Sequence, residues 1–219
     1  FSFRVDGSNN FHPDHRWGFF PSFSGAWVIS NEDFFRNWNQ HVISNAKLRM
    51  STGWLGNDGL VGAFSYLRTY TETTNNGYTL GGNFRPGMVM TTNPNEYLTW
   101  GKTHDYNFAA DLGFLDGRFG VSFEYYVRYE TDKITAAPDY LYPPSTGVSG
   151  MVPNENFSKL KAWGWDLTIN HRNTIGKLKY SLALTLAKTA DKYLDYGDES
   201  AQLPNLRRKD KSSMVWSMY

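Results

Sequence analysis

A group of polar side chains near the start of the chain is of the kind that binds metal ions. Its carboxylates, amide and imidazoles are ligands for hard or borderline cations. The group consists of Asp6, Asn9, His12, Asp14 and His15. The spacing is irregular and matches no EF-hand loop. Because loops favour the same residue types, we interpret the group as part of a polar loop and expect no metal site.

The residue types needed for nucleophilic catalysis are present without a catalytic arrangement. No Gly-x-Ser-x-Gly elbow occurs, and the five histidines show no His-Glu-x-x-His spacing. The glycine-rich stretches 81–83 and 147–150 do not join a strand to a helix, as a phosphate-binding loop requires. The chain has no cysteine, which excludes disulfides and thiolate chemistry. We therefore expect neither an enzyme nor a bound cofactor.

A second set of polar side chains has a regular spacing. Its members stand at alternate positions of two segments in which the intervening residues are mostly large and apolar. They are Asp105, Asn107, Asp111, Glu124 and Arg128. Alternation with a period of two places such residues on one face of a β-strand and the apolar residues on the other. The sequence therefore predicts two-faced strands with a polar side.

The clearest alternation covers residues 118–134, where Phe119, Val121 and Phe123 begin a ladder that continues to Tyr129. This ladder spans about 33 Å along the strand at ~3.3 Å per residue. Tilted by roughly 40°, it has a height of about 25 Å, which matches the lipid-facing band of an outer-membrane barrel. The same pattern recurs at 46–51, 103–114, 163–170 and 177–187. Strands of globular domains are commonly only about five or six residues long.

The connections between the predicted strands alternate in length. Residues 115–118 contain Asp-Gly, which suits a tight two-residue turn, and the connection 173–176 is nearly as short. The connections 55–98 and 135–160 are long and polar. We place 31–45 on the short side, with a helical turn over 33–38. Short periplasmic turns and long outer loops alternate in this way in bacterial barrels.

Composition excludes some functions and favours a barrel. The 22 basic and 21 acidic residues give a net charge of +1, so charge offers no argument for nucleic acid. Aromatic residues make up 17% of the chain, as expected for a barrel with interfacial girdles. The mean hydropathy of −0.54 argues against a helical membrane span. Mean hydropathy does not detect barrel strands, because their apolar and polar residues alternate and the two average out.

Several segments, in the right order along the chain, resemble the barrel of SusC/RagA-type TonB-linked outer-membrane transporters of Bacteroidota. They are FRVDGSNNF (3–11), RWGFFPS (16–22), WVISNEDFF (27–35), LRMSTG (48–53), GND (56–58), NPN (93–95), LTWGKT (98–103) and GWDL (164–167). The resemblance implies an all-β, antiparallel transmembrane β-barrel, of which this chain supplies about eight of roughly 22 strands. We expect residues 1–219 to be a portion of the barrel domain, without the plug domain and TonB box of family members.

The function implied by this resemblance is TonB-dependent uptake of glycans or peptides through the bacterial outer membrane. The implied partners are a SusD-like surface lipoprotein, TonB acting through a plug, outer-membrane lipid and the glycan or peptide substrate. No nucleic-acid partner is expected. The alternating polar set would then face the lumen and contact the plug, since wide plugged barrels keep a polar interior.

Aromatic side chains in the long connections are the candidate substrate-binding residues, since aromatic faces stack on sugars and peptides. They are Trp54, Tyr66, Tyr70, Tyr78, Tyr140 and Tyr142. The same rings could instead belong to an interfacial girdle or pack within the loops.

Two other functions stay open at this point. A soluble, aromatic-rich β-sandwich that binds carbohydrate would explain the alternation equally well, but it explains the asymmetry of the connections poorly. Its mark would be Phe123, Tyr125, Leu182 and Leu184 meeting one another across two stacked sheets. An outer-membrane lipid hydrolase is the remoter alternative.

Overall fold

The fold is known from a computed structural model, which describes residues 1–36, 42–59, 61–90, 93–136, 142, 145, 152–197, 199, 202–204 and 206–213. Strands dominate these residues, because bulky and small or polar side chains alternate along them. The strands are β1 (Ser2–Gly7), β2 (Trp17–Val28), β3 (Ile43–Asn57), β4 (Tyr70–Leu80), β5 (Asn83–Met90), β6 (Gly101–Phe114), β7 (Phe119–Ala136), β8 (Asn154–Ile175) and β9 (Leu178–Asp195). The short helical elements include α1 (Asp33–Arg36) and the 3-10 turns Pro13–His15 and Ile29–Asn31.

Seven of the strands form one antiparallel sheet in the order β1-β2-β3-β6-β7-β8-β9. The strands β4 and β5 pair only with each other, as a separate hairpin between β3 and β6. Apart from this hairpin, every strand lies beside its neighbour in sequence, which is the topology of an up-and-down barrel wall. The sheet is open, with β1 and β9 at its two edges. The predicted all-β, antiparallel barrel fold is confirmed, with seven wall strands in the described residues rather than about eight.

The alternation located the strands well but not their outer ends. The alternating segments at 163–170 and 177–187 lie in longer strands, Asn154–Ile175 and Leu178–Asp195. Near these outer ends residue polarity no longer follows burial, because the polar Ser158 is buried together with Leu160 and Tyr193. The β4–β5 hairpin was not predicted either. Its turn at Gly81 and Gly82 needs positive φ angles of 59° and 79°, which glycine adopts freely.

The connections have the predicted asymmetry. Leu115 and Gly117 lie in the tight turn between β6 and β7, and residues 176–177 alone join β8 to β9. The long connections lie at the other end of the sheet, because β3 ends and β6 begins there. The helical turn predicted over 33–38 is present as α1, and residues 37–41 lie outside the described part of the chain.

The largest cluster of buried apolar side chains lies at the end of the sheet that carries the long connections. It consists of Phe11, Phe20, Val61, Leu98, Trp100 and Ile134. The Trp100 ring centroid is 5.3 Å from that of Phe11 and 5.4 Å from that of Phe20. The Trp100 indole Nε1 donates a hydrogen bond of 3.0 Å to the Arg16 carbonyl oxygen. This cluster therefore fixes the β1–β2 connection and the segments that flank the hairpin onto the end of the wall.

Candidate functional site

One face of the sheet carries the polar side chains singled out by their spacing. Asp105 lies directly opposite Arg128 in the β6–β7 ladder, and Asp111 lies opposite Ser122. Glu124 is opposite Ala109, one step along the same face from Asn107. The structure thus brings Asp105, Asn107, Asp111, Glu124 and Arg128 together on one surface, as the alternation predicted.

These side chains form hydrogen bonds with one another across neighbouring strands. The Arg128 guanidinium donates two hydrogen bonds to Asp105, Nε to Oδ1 at 2.6 Å and Nη2 to Oδ2 at 3.2 Å. The Asn107 amide donates to the Glu124 carboxylate. Two-point contacts between arginine and a carboxylate fix geometry as well as adding energy. This part of the polar face is therefore an ordered hydrogen-bonded surface.

Two members of the polar face were missed by the sequence analysis. Arg49 on β3 donates to Asp111 through Nε at 2.8 Å and through Nη2 at 3.2 Å. Ser122 on β7 donates through Oγ to the same carboxylate at 2.7 Å. Arg49 alternates with Leu48 and Met50, so the period-two pattern of β3 already contained the signal. With these residues, the polar network extends over three neighbouring strands.

The opposite face of the sheet is apolar and uncovered. Leu48, Ala110, Phe123, Leu167 and Leu186 lie in one row across five strands. Phe123 is 42% exposed, Leu184 54% and Leu182 64%. Within the described residues no second sheet packs on this face, so the contacts that would mark a sandwich do not occur there. Such a surface needs an apolar environment, because an exposed apolar area of this extent is rare on soluble monomers.

Aromatic rings line the apolar face near the long connections. The Trp54 ring stacks on His104, with ring centroids 4.0 Å apart and planes 15° from parallel. His104 also contacts Tyr106, and Tyr106 meets Tyr129 edge to face. The placement of Trp54 in a loop was therefore wrong, because β3 continues to Asn57 and carries this ring onto the apolar face. Its environment is that of an interfacial belt residue.

The tyrosines predicted to bind substrate lie in different parts of the long connections. Tyr70 and Tyr78 stand on the β4–β5 hairpin and are 55% and 60% exposed. Tyr66 packs edge to face on His12 at a centroid distance of 5.5 Å. Tyr140 lies outside the described residues. The described contacts therefore do not gather these rings into one site.

Tyr142 lies in the β7–β8 connection, where its hydroxyl donates a hydrogen bond to the Glu155 carboxylate. Burial, followed by the hydrogen bond and the negative charge of Glu155, raises the pKa of Tyr142 to about 12. The neutral phenol is thus held at the start of β8, where Glu155 lies.

The candidate cation ligands near the start of the chain are engaged with neighbouring protein groups. Asp6 forms an ion pair with Arg4 at 2.6 Å, and Asp14 lies 3.4 Å from His12 Nδ1. In the described part of the chain, no group of three or more His, Cys, Asp or Glu side chains is arranged to hold a metal ion. No helix among the described residues is long and apolar enough to cross a membrane.

Sequence comparison finds curated relatives over nearly the whole chain. The chain is 30% identical over 223 residues to the TonB-dependent receptor SusC of Bacteroides thetaiotaomicron, which covers 94% of this chain and 21% of that protein. It is 30% identical over 195 residues to the TonB-dependent receptor P26 of Formosa agariphila, covering 89% of this chain and 19% of the relative. The chain thus spans about a fifth of the length of these relatives. No family model matches the sequence.

Structure comparison gives the same fold. The RagAB peptide importer in its closed-closed state contains a chain that superposes with a TM-score of 0.74 at 24% identity, covering 89% of this chain and 20% of that chain. A second structure, of the RagAB peptide transporter, matches equally well at 23% identity. In both comparisons the match covers only part of the longer RagAB chain.

The two-faced meander and its relatives together define the class: the chain is a β-barrel segment of a TonB-dependent receptor. Within that class it belongs to the SusC/RagA type, as the sequence match to SusC indicates. The structural match to RagAB shows that the fold is the same.

Proposed function

We propose that this chain forms part of the barrel wall of an outer-membrane importer that takes up glycans or peptides and draws its energy from TonB. The observation that carries the proposal is the division of the sheet into an uncovered apolar face and a hydrogen-bonded polar face. In a transmembrane barrel the first faces lipid and the second faces the lumen. The wall itself makes or breaks no bonds, so its work is to hold and gate a passage.

The polar face suits contact with a plug that moves. Arg49 and Arg128 are each paired with an aspartate of the wall itself. A plug domain could therefore leave this surface while both arginines keep their counter-charges. Leaving an arginine unpaired in a confined space would cost free energy. On this proposal TonB acts on the plug from the periplasm, and the wall residues Asp105, Asn107, Asp111, Glu124 and Arg128 line the lumen.

Substrate and partner contacts belong to the end with the long connections. The exposed rings of Tyr70 and Tyr78 offer stacking faces to a sugar or a peptide. By kinship with SusC and RagAB, the proposed partner at this end is a SusD-like surface lipoprotein. Tyr66, Tyr140 and Tyr142 stay candidates for the same role in the assembled protein.

The soluble sandwich and the lipid hydrolase gain no support from the described residues. A sandwich would bury the apolar face of the sheet, but Phe123 and Leu182 are largely exposed. The contacts of the described serine, histidine and aspartate side chains include no hydrogen-bonded nucleophile, base and acid in series.

Uptake by cells tests the proposed function. A strain lacking the full-length gene would be complemented with the wild type, with a Tyr70→Ala/Tyr78→Ala variant, or with Tyr180→Ala as a control. Tyr180 lies near the β8–β9 turn, at the far end of the wall. Radiolabelled oligosaccharides and oligopeptides would be supplied separately, in cells with and without TonB. We expect TonB-dependent uptake of one of the two classes, reduced by the hairpin variant and unchanged by the control.

Two results would contradict the proposal. One is uptake of neither class by cells that carry the wild-type protein in the outer membrane. The other is uptake that continues at the same rate without TonB. Equal losses of uptake in the hairpin variant and the Tyr180 control would contradict only the proposed role of the hairpin tyrosines.

A further inference from the structure

The charges on the apolar face are all of one sign. The regular ladder runs from the row of Phe114 and Phe119 to the row of Trp54 and His104. Among the described outward positions between these rows there is no carboxylate, and the charged side chains are Lys161, Lys188 and Lys192. The polar face, in contrast, pairs both signs. None of the three lysines has a close, two-point carboxylate partner among the described residues, unlike the arginines of the opposite face.

All three lysines lie on β8 and β9, towards the end with the long connections. The Lys161 ammonium is 5.3 Å from the centroid of the Tyr129 ring and 5.7 Å from that of Trp163. Lys188 lies opposite Trp165, and Leu167 and Leu186 continue the apolar surface beyond that row on the same face. Lysine stems can lie along such a surface while the ammonium reaches the boundary with water. The cations thus stand where an apolar band meets an aromatic belt.

Lys161 and Lys192 are directly opposite each other in the β8–β9 ladder. Like charges in this position repel and destabilise the pair of strands. Lys192 lies 3.8 Å from Asp210, a long contact to a carboxylate that is 69% exposed, and such pairs contribute little. Among the described residues no carboxylate lies within ion-pair distance of the Lys161 ammonium. An anion placed between the two ammonium groups would relieve this repulsion.

We propose that Lys161, Lys188 and Lys192, together with Tyr129 and Trp163, bind the phosphorylated headgroup of an anionic lipid in the outer leaflet. The proposal commits to a lipid because the cations continue into an uncovered apolar surface that can take the acyl chains. Clustered lysines at a membrane boundary attract phosphorylated headgroups. The inference rests on the proposed function in one respect: it requires the apolar face to lie in the membrane.

Lipid binding by the full-length protein, purified in detergent, tests the inference. Native mass spectrometry would follow titrations with phosphatidic acid, with diacylglycerol of the same acyl chains, and with inorganic phosphate. We expect Lys161→Gln/Lys192→Gln to bind phosphatidic acid about thirtyfold more weakly than the wild type. Diacylglycerol should bind both proteins alike, since it lacks the phosphate. Inorganic phosphate should not displace the lipid.

The matched control is Lys177→Gln/Lys179→Gln, which removes two exposed lysines from the β8–β9 turn and the start of β9, at the opposite end of the wall. Its affinity for phosphatidic acid should equal that of the wild type. Unchanged affinity in the first variant, an equal loss in the control, or full displacement by inorganic phosphate would each overturn the lipid site. Fractionation and uptake assays on the same variants separate the two hypotheses. Absence of the protein from the membrane fraction would refute the proposed function. A protein that is in the membrane and imports substrate, but whose lipid affinity does not depend on the lysines, would refute only the lipid site.

Discussion

Arg49 and Asp111 form a two-point ion pair although they are not direct partners in the β3–β6 ladder. Arg49 lies opposite Ala109, and Asp111 lies opposite Lys47. The long arginine side chain therefore crosses diagonally, a span of about 7–8 Å between Cα atoms. Because Asp111 also accepts a hydrogen bond from Ser122, a single carboxylate connects β3, β6 and β7.

This diagonal pair should contribute measurably to stability. In a double-mutant cycle with Arg49→Ala and Asp111→Ala, we expect a coupling free energy of about 1 kcal/mol, the upper end for partly exposed pairs, because the contact is bidentate. Urea unfolding of the full-length protein, followed by tryptophan fluorescence, measures it. The exposed pair Arg4 and Asp6 is the control and should couple more weakly. Equal coupling in the two cycles would contradict the prediction.

The two faces of β9 should respond differently to a charge. Leu184→Arg places a guanidinium on the apolar face and should destabilise the membrane-inserted barrel by about 2–4 kcal/mol. Ala183→Arg places the same group on the polar face, opposite Asn170, and should be tolerated. Outer-membrane yield and the heat-dependent shift in gel migration report the difference. If Ala183→Arg proved the more damaging change, the assignment of the faces would be reversed.

A glycine on the polar face holds two strands closely together. A Cβ at Gly164 would lie 2.5 Å from the Lys188 carbonyl oxygen and 2.5 Å from the Tyr126 hydroxyl oxygen. Because backbone cannot move aside easily, Gly164→Ala should lower the free energy of unfolding by about 1–3 kcal/mol. Gly120→Ala is the control, since its Cβ would have ordinary contacts at 3.9 Å. The denaturant midpoints of the two variants measure these effects. Equal midpoints would refute the close approach of the Lys188 backbone and the Tyr126 side chain to Gly164.

The Tyr142 hydroxyl gives the β7–β8 connection a pH dependence. Its pKa is raised from 10.0 to about 12, so the folded connection holds its proton where the free chain loses it. The stabilisation is complete below pH 10 and is lost as the pH rises towards about 12. Ultraviolet titration of the wild type against Tyr142→Phe isolates this phenol. Deprotonation at the ordinary pKa would show that Glu155 does not hold it.

The sequence predicted those features that depend on side-chain alternation. Phe123 and Glu124 fall on opposite faces because successive strand residues must do so, and the Asp-Gly of the β6–β7 turn marked a tight hairpin. Alternation alone could not distinguish a membrane wall from a sandwich. The alternating lengths of the connections favoured the membrane wall, and the resemblance of the segments added to that argument.

Other features depend on contacts that are distant in sequence. The partner of Arg49 lies 62 residues away, and its diagonal geometry follows from the register of two strands separated by a long connection. Trp54 was grouped with the aromatic residues of the long connections because the predicted connection begins at residue 55, whereas the ladder with β6 continues to Asn57. The β4–β5 hairpin was not predicted because apolar residues do not alternate regularly with polar ones along its strands.

The β4–β5 hairpin is separate from the seven-stranded sheet and can therefore be altered without changing that sheet. Its tip, Gly81 and Gly82, has open space where side chains would stand, and its strands exchange ladder hydrogen bonds only with each other. A short epitope tag inserted there would leave every rung of the seven-stranded wall in its register. The tag would therefore report where this end of the chain lies without disturbing the wall.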